Sequence, residues 1–238
     1  MSVKDEGYIM SKASRKSKIL LIADPAILAI PIKENNELLI DLKNQNIIKF
    51  GPSPEIPNNT DYTKMRKSVY EKLVAAQDLL PNGLKFCLYE ALRSKTLQNI
   101  LFQERYKKVQ HKFPAWSHEE VFQETTKLVS PVINVDGSSN VPPHSTGAAV
   151  DVYLIDNKDQ VIDMGIRTED WMLDVDGSLS FTDSKKISLE AQAYRKIMST
   201  VLSKIGFVNY QTEYWHWSYG DRYWAYYKDE PYAIYGSV

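Results

Sequence analysis

The chain has 238 residues, of which 43% are hydrophobic and 25% are charged, and its formal net charge is −1. This composition is typical of a folded globular protein and excludes a disordered chain. The balanced charge, with no long run of one sign, argues against nucleic acid as a partner.

The single cysteine, Cys87, excludes an internal disulfide and any cysteine-rich zinc cluster. A metal would therefore need histidine and carboxylate ligands. The length allows one large domain. We interpret residues 19–238 as that domain and residues 1–18 as a mobile N-terminal arm.

A basic stretch before the apolar residues 19–23 imitates a signal peptide. Asp24 and Pro25 interrupt the apolar run, which is far shorter than the roughly 20 residues of a membrane span. We therefore expect a cytoplasmic protein without a membrane partner, whose chain enters a strand near residues 27–32.

Hydrophobic periodicity and capping residues predict the elements that follow. In chain order these are a pair of short strands within 37–49, a helix over 62–80, a strand over 84–89, a helix after Ser94, a helix from Ser117 to Leu128, a strand over 148–155, a helix over 189–205 stopped by Gly206, and an aromatic segment over 214–219. The order predicts an α+β fold, with helices on one side of a mainly antiparallel sheet and a single zinc site at its late strands and loops.

Four histidines are present. His111 lies among lysines on a solvated helix end, and His118 begins like an H-E-x-x-H zinc motif but has Phe122 at the position of the second histidine. We therefore exclude both as ligands.

His144 and Asp151 lie six residues apart across Gly147, and Glu213 and His216 follow later in the chain. Catalytic zinc keeps three protein ligands and one open position for a water whose pKa falls to about 7, while a nearby carboxylate takes the proton. Two histidines and Asp151 match the ligand count, which leaves Glu213 as the base.

Residues three apart on a regular strand point to opposite faces, yet Glu213 and His216 must converge. We therefore expect His216 on a strand and Glu213 at a turn or bulge before it. Arg93, just after the predicted strand, could stabilise a tetrahedral oxyanion.

Four separated motifs, Y-E-A-L-R-S, P-P-H-S-T-G-A-A-V-D-V-Y-L, D-M-G and T-E-Y-W-H-W, resemble the D-alanyl-D-alanine dipeptidases, the VanX-like zinc peptidases. The similarity extends from about Leu84 to the C-terminus. It implies one zinc ion on His144, Asp151 and His216, with Glu213 as general base and Arg93 as transition-state stabiliser.

The resemblance also implies cleavage of the D-Ala-D-Ala dipeptide to free D-alanine in a small closed pocket. A carboxylate for the substrate ammonium is expected after D-M-G, where Glu169 and Asp170 both qualify and Asp170 is preferred. Trp215 is a further predicted substrate-binding residue. Pro142 and Ala91-Leu92 depart from the usual family pattern, which bears on substrate contacts and leaves the ligands in place.

Two alternatives stay open. One is a related zinc D,D-carboxypeptidase or endopeptidase that acts on cell-wall peptides, and the other is a non-catalytic module that contains zinc. The expected partner is a small dipeptide, and no oligomeric state is predicted.

Overall fold

The computed structural model describes residues 19–238, so the predicted arm over 1–18 lies outside the described residues. The strands, in chain order, are β1 (Leu39–Asp41), β2 (Lys49–Phe50), β3 (Lys64–Arg66), β4 (Lys85–Glu90), β5 (Ala149–Ile155), β6 (Val208–Asn209) and β7 (His216–Ser218). The helices are α1 (Pro25–Leu28), α2 (Lys67–Gln77), α3 (Lys95–Lys112), α4 (His118–Thr125), α5 (Leu189–Ile205) and α6 (Arg222–Lys228). Short 3-10 helices occupy Leu42–Asn44, Pro143–Thr146 and Thr168–Leu173.

Five strands form one sheet in the order β2-β4-β5-β7-β6, and β1 pairs with β3 in a separate two-stranded sheet. In the larger sheet β2 runs parallel to β4, while the other three pairs are antiparallel. The predicted α+β fold with a mainly antiparallel sheet is therefore confirmed.

Local sequence signals determine the ends of the long helices. The hydroxyls of Ser94, Ser117 and Ser188 accept hydrogen bonds from the first turns of α3, α4 and α5, and Ser117 forms a capping box with Glu120. Gly206 ends α5 with φ at 101°, a left-handed conformation that favours glycine.

One face of the central strands is apolar and belongs to the main core. Phe86 on β4 pairs with Leu154 on β5, and Leu88 pairs with Val152, so that all four side chains share a face. Residues of α2 and α5 belong to the same core cluster. Alternation along β5 consequently places Asp151 on the opposite face.

One predicted element and several predicted helix boundaries were wrong. Residues 27–32 do not form a strand: Asp24 caps the short helix α1, and Ile32 makes an isolated bridge to Ala233. The helix predicted over residues 62–80 spans Lys67–Gln77, and residues 64–66 instead pair with β1. The helix predicted to reach Leu128 ends at Thr125.

The two short strands predicted within 37–49 correspond to β1 and β2, but they belong to different sheets and do not pair with each other. In residues 19–238, none of the helices combines the length and the apolar character that crossing a membrane requires.

Candidate active site

Three neighbouring strands place polar side chains in one row across the sheet. Asp151 on β5 lies opposite Glu90 on β4 and opposite His216 on β7. A register irregularity between Leu88 and Glu90 brings Glu90, rather than Tyr89, opposite Asp151. Such bulges re-aim side chains beside functional sites. The row therefore depends on the pairing of strands that are far apart in sequence.

His144 reaches the row from the 3-10 helix Pro143–Thr146, which ends at Gly147 with φ at 68°. Its Nδ1 lies 2.7 Å from the carbonyl oxygen of Ala91. Because a carbonyl oxygen accepts only, Nδ1 carries the proton, and the lone pair of Nε2 is free to bind a metal.

His144, Asp151 and His216 converge, with their ligand atoms all within 4.8 Å of one another. His144 Nε2 lies 3.3 Å from Asp151 Oδ2 and 3.2 Å from His216 Nδ1, and His216 Nδ1 lies 3.1 Å from Asp151 Oδ1. Within residues 19–238, the buried atoms Asp151 Oδ1 and His216 Nε2 have no hydrogen-bond partner.

This donor set fits a metal ion. The lone pair of His144 Nε2, the oxygens of Asp151 and Nδ1 of His216 crowd together, and a cation between them would satisfy Asp151 Oδ1, which the described residues leave without a hydrogen-bond partner. Two imidazoles and one carboxylate are typical ligands of catalytic zinc.

The two buried carboxylates of the site have opposite pKa shifts. Burial raises the pKa of Asp151, but the adjacent imidazoles of His144 and His216 outweigh burial and hold that pKa well below its usual range. Burial, reinforced by the charge of Asp151, raises the pKa of Glu213 well above its usual range. Carboxyl groups whose environments separate their pKa values in this way commonly take different roles in catalysis.

Glu213 lies in the turn that connects β6 to β7. Its N–H donates to the carbonyl oxygen of Tyr210 (2.8 Å), and its own carbonyl oxygen accepts from the N–H of His216 (3.1 Å). The side-chain amide of Asn209 bonds to the carbonyl oxygens of Glu213 and His216, each at 3.0 Å. This irregular turn, predicted from the sequence, allows Glu213 Oε2 to lie 3.6 Å from His216 Nδ1.

Arg93 is 6% exposed and lies three residues beyond the end of β4. Its Nε and Nη2 donate to Glu90 Oε2, and its Nη1 donates to Gln98 Oε1 at 3.1 Å. Gln98 in turn donates to the carbonyl oxygen of Ser130 at 2.7 Å. The guanidinium is therefore fixed in orientation before any ligand binds.

These side chains surround one cavity. Its polar lining includes Arg93, Gln98, His144, Asp151, Glu213 and His216. Its remaining lining comprises Ile22, Tyr89, Leu128, Val129, Ser130, Pro143, Trp171, Tyr210 and Trp215.

Among the neighbours of the site that sequence reasoning did not identify are Glu90, Gln98 and Ile22. Glu90 could have been recognised from the sequence as a carboxylate near Arg93, because it precedes Arg93 by three residues in Y-E-A-L-R-S. Gln98 and Ile22 had no such local signal, because tertiary contacts bring them to the site. The N–H of Ile22 donates to the hydroxyl of Tyr210 at 3.2 Å, which holds the chain before α1 against the cavity.

The predicted substrate-binding residues lie in different places. Trp215 is buried and lines the cavity. Asp170 lies on the 3-10 helix Thr168–Leu173, and its neighbour Trp171, rather than Asp170, is among the lining residues. Glu169 pairs with Arg167 at 3.1 Å on the surface.

The two histidines excluded as ligands, His111 and His118, lie on the exposed surface and do not belong to the His144, Asp151 and His216 cluster. His118 begins α4 on the exposed surface, with its Nδ1 2.8 Å from the hydroxyl of Tyr106. His111 is an exposed residue in the last turn of α3.

A family model described as Peptidase_M15, D-ala-D-ala dipeptidase, matches residues 58–234. The chain belongs to this family. A D-alanyl-D-alanine dipeptidase of Synechocystis sp. (strain ATCC 27184 / PCC 6803 / Kazusa) is 24% identical over 221 residues, which cover 83% of this chain and 88% of the relative. The predicted resemblance is therefore confirmed, and the protein is a peptidase of a metallopeptidase family with a His-Asp-His cluster suited to a metal.

The chain is also similar to a solved structure described as "Structure of the LdcB LD-carboxypeptidase reveals the molecular basis of peptidoglycan recognition". It is 15% identical and covers 83% of this chain and 76% of that chain, with a TM-score of 0.37.

Proposed function

We propose that the protein is a zinc-dependent dipeptidase that hydrolyses D-Ala-D-Ala to two molecules of D-alanine. The observation that carries this proposal is the convergence of His144, Asp151 and His216 within 4.8 Å, beside the buried carboxylate of Glu213. Membership of the dipeptidase family and the similarity to the Synechocystis relative support the substrate.

His144, Asp151 and His216 would hold the zinc ion, which when bound would supply the Lewis acidity that makes water nucleophilic at neutral pH. Glu213 takes a proton from the attacking water and returns it to the leaving amino group, a role for which a carboxyl with a raised pKa is suited. Arg93 stabilises the charge that develops on the carbonyl oxygen.

The walls of the cavity favour a short substrate. Ile22, Leu128 and Val129 supply apolar surface beside the polar cluster, and Trp215 also lines the cavity. We propose that these residues accommodate the two methyl groups of the dipeptide and leave little room for a longer chain.

The decisive experiment combines metal analysis of the purified protein with a hydrolysis assay on D-Ala-D-Ala, before and after treatment with a chelator. We expect one zinc ion per chain, release of D-alanine, loss of activity with chelator and recovery on adding zinc. Hydrolysis that is insensitive to chelator would contradict the proposed zinc dependence.

A parallel assay on a muropeptide pentapeptide that ends in D-Ala-D-Ala separates the proposed activity from a D,D-carboxypeptidase. We expect cleavage of the free dipeptide and not of the pentapeptide. Cleavage of the pentapeptide alone would replace the dipeptidase assignment, and zinc binding without hydrolysis of either peptide would indicate a non-catalytic module.

A further inference from the structure

We propose that Asp221 is a positioning residue of the metal site, whose buried negative charge supports His216 as a ligand. This inference rests on the zinc site of the proposed function and adds to it a residue beyond the ligands and the base.

The ring of His216 has one nitrogen toward the ligand cluster and one away from it. Nδ1 lies 3.1 Å from Asp151 Oδ1 and 3.2 Å from His144 Nε2, so Nδ1 is the atom available to a metal. Nε2 then carries the proton, and it is buried without a hydrogen-bond partner in residues 19–238. Metal-binding histidines almost always donate this second N–H to a carboxylate, a carbonyl oxygen or water, and loss of such a partner commonly weakens metal binding about 10- to 100-fold.

Asp221 is held on the same face of the sheet as His216. His216 and Ser218 are two residues apart on β7, whose pairing with β5 is regular, so their side chains share a face. The hydroxyl of Ser218 donates to Asp221 Oδ1 at 3.0 Å. The carboxylate that follows β7 is therefore brought back along the strand toward the histidine.

One of the two carboxylate oxygens of Asp221 has no partner. Asp221 is 2% exposed, and its Oδ1 accepts from Ser218 and from the N–H of Trp224 at 2.7 Å, which caps α6. Oδ2 is buried and, like His216 Nε2, makes no hydrogen bond with any of the described residues. A helix cap needs only one oxygen and no charge, so the cap does not account for the unpaired half of this carboxylate.

Among residues 19–238, the buried carboxylate oxygens without a partner belong to Glu90, Asp151 and Asp221. Asp151 Oδ1 lies on the metal side of the His216 ring, close to Nδ1. Glu90 is bound by Arg93 and lies on β4, which β5 separates from β7. Asp221 is the one of the three that is tied to the strand of His216 itself.

The charges of Asp221 and of the ligand histidines are coupled. Burial raises the pKa of Asp221, while the imidazoles of His216 and His144 lower it, His216 more strongly. The support acts through charge, since no direct hydrogen bond joins Asp221 Oδ2 to the ring. In a site removed from water, a negative charge stabilises a nearby bound dication far more than it would at the surface.

Zinc affinity, measured by competition with a chromophoric chelator, tests the inference without relying on turnover. Asp221→Asn keeps an oxygen for Ser218 and Trp224, and asparagine caps helices as well as aspartate does, but it lacks the negative charge. We expect the Kd for zinc to rise about 10- to 100-fold relative to the wild type. An unchanged Kd in folded Asp221→Asn would overturn the inference.

Asp41→Asn is the matched control. Asp41 also caps a helix, and its Oδ1 accepts from the N–H of Lys43 at 3.0 Å and from the hydroxyl of Thr63 at 2.7 Å, but it lies at the end of β1 in the other sheet. Its substitution should leave the Kd for zinc unchanged. A loss of zinc affinity as large as that in Asp221→Asn would trace the effect to the removal of any capping charge and would overturn the inference.

Urea unfolding of the zinc-free proteins separates positioning from a folding defect. Because the substitution removes an unpaired buried charge, the free energy of unfolding of zinc-free Asp221→Asn should be no lower than that of the wild type. A zinc-free variant destabilised by as much as its zinc binding is weakened would give Asp221 a purely structural role and overturn the inference. Asp221→Ser, which keeps a cap without a charge, should weaken zinc binding equally and replaces the asparagine variant if that variant does not fold.

The wild type distinguishes this inference from the function on which it rests. A wild-type protein that binds no zinc would remove the proposed zinc site itself. A wild-type protein that binds zinc with an affinity that Asp221→Asn shares would overturn only the role of Asp221.

Discussion

Two buried polar clusters in this protein are built in opposite ways. The cluster that we propose to be catalytic, called the catalytic cluster below, consists of His144, Asp151, Glu213 and His216. The arginine brace consists of the guanidinium of Arg195 and the carbonyl oxygens of Met164, Leu179 and Phe181 that accept its hydrogen bonds.

In the arginine brace the polar atoms are paired, and the guanidinium lies 4.0 Å from the centre of the Tyr214 ring. In the catalytic cluster Asp151 Oδ1 and His216 Nε2 are buried without a hydrogen-bond partner among residues 19–238. Buried polar groups without a hydrogen-bond partner reduce stability, and proteins retain them where a bound ligand supplies the missing partner. Burial is therefore common to both clusters, and what differs is whether their buried polar atoms have hydrogen-bond partners.

The largest expected effect comes from the catalytic cluster. Glu213→Gln keeps the size of the side chain but removes the base, so the kcat on D-Ala-D-Ala should fall by about 100- to 10,000-fold. Zinc content should stay at one per chain, and the melting temperature should not fall, because the substitution removes a buried charge. Unchanged turnover would show that Glu213 is not the base and would contradict the catalytic role proposed for its cluster.

Arg93→Lys should have the next largest effect. Lysine keeps the positive charge but cannot reproduce the planar contacts with Glu90 and Gln98, so we expect the kcat to fall by about 100- to 1,000-fold with little change in zinc content. Measurement of kcat and KM separately checks this prediction. A rise in KM with normal kcat would instead make Arg93 a ground-state binding residue.

Arg195→Met should affect stability rather than chemistry. It leaves three carbonyl oxygens without their donor, and each buried unsatisfied group costs about 1–3 kcal/mol. We expect the free energy of unfolding in urea to fall by at least about 2 kcal/mol, while the folded fraction keeps its kcat within about 3-fold. A variant of normal stability but low kcat would show that the brace acts in catalysis, and the contrast between the clusters would fail.

Much of the fold was predictable from local sequence. The strand over β4, the starts of α3 and α4 and both ends of α5 follow from periodicity, capping serines and Gly206, which act within a few residues. The secondary-structure predictions failed where local sequence patterns did not match the structure that the folded chain adopts. Residues 64–66 continue a helical pattern but pair with β1, and residues 27–32 read as a strand although Asp24 caps a short helix there.

For the candidate site, sequence alone predicted His144, Asp151 and His216 as metal ligands, because four histidines offer few combinations and catalytic zinc requires a particular set of ligands, and the structure brings these three side chains together. It also required a turn before His216, since a strand alternates its side chains between faces. The tertiary structure decided what surrounds those atoms. Strand register brings Glu90 opposite Asp151, and a long-range contact with Tyr210 brings Ile22 to the cavity. Such neighbours leave no local periodicity or spacing to detect, because they are joined by packing between segments far apart along the chain.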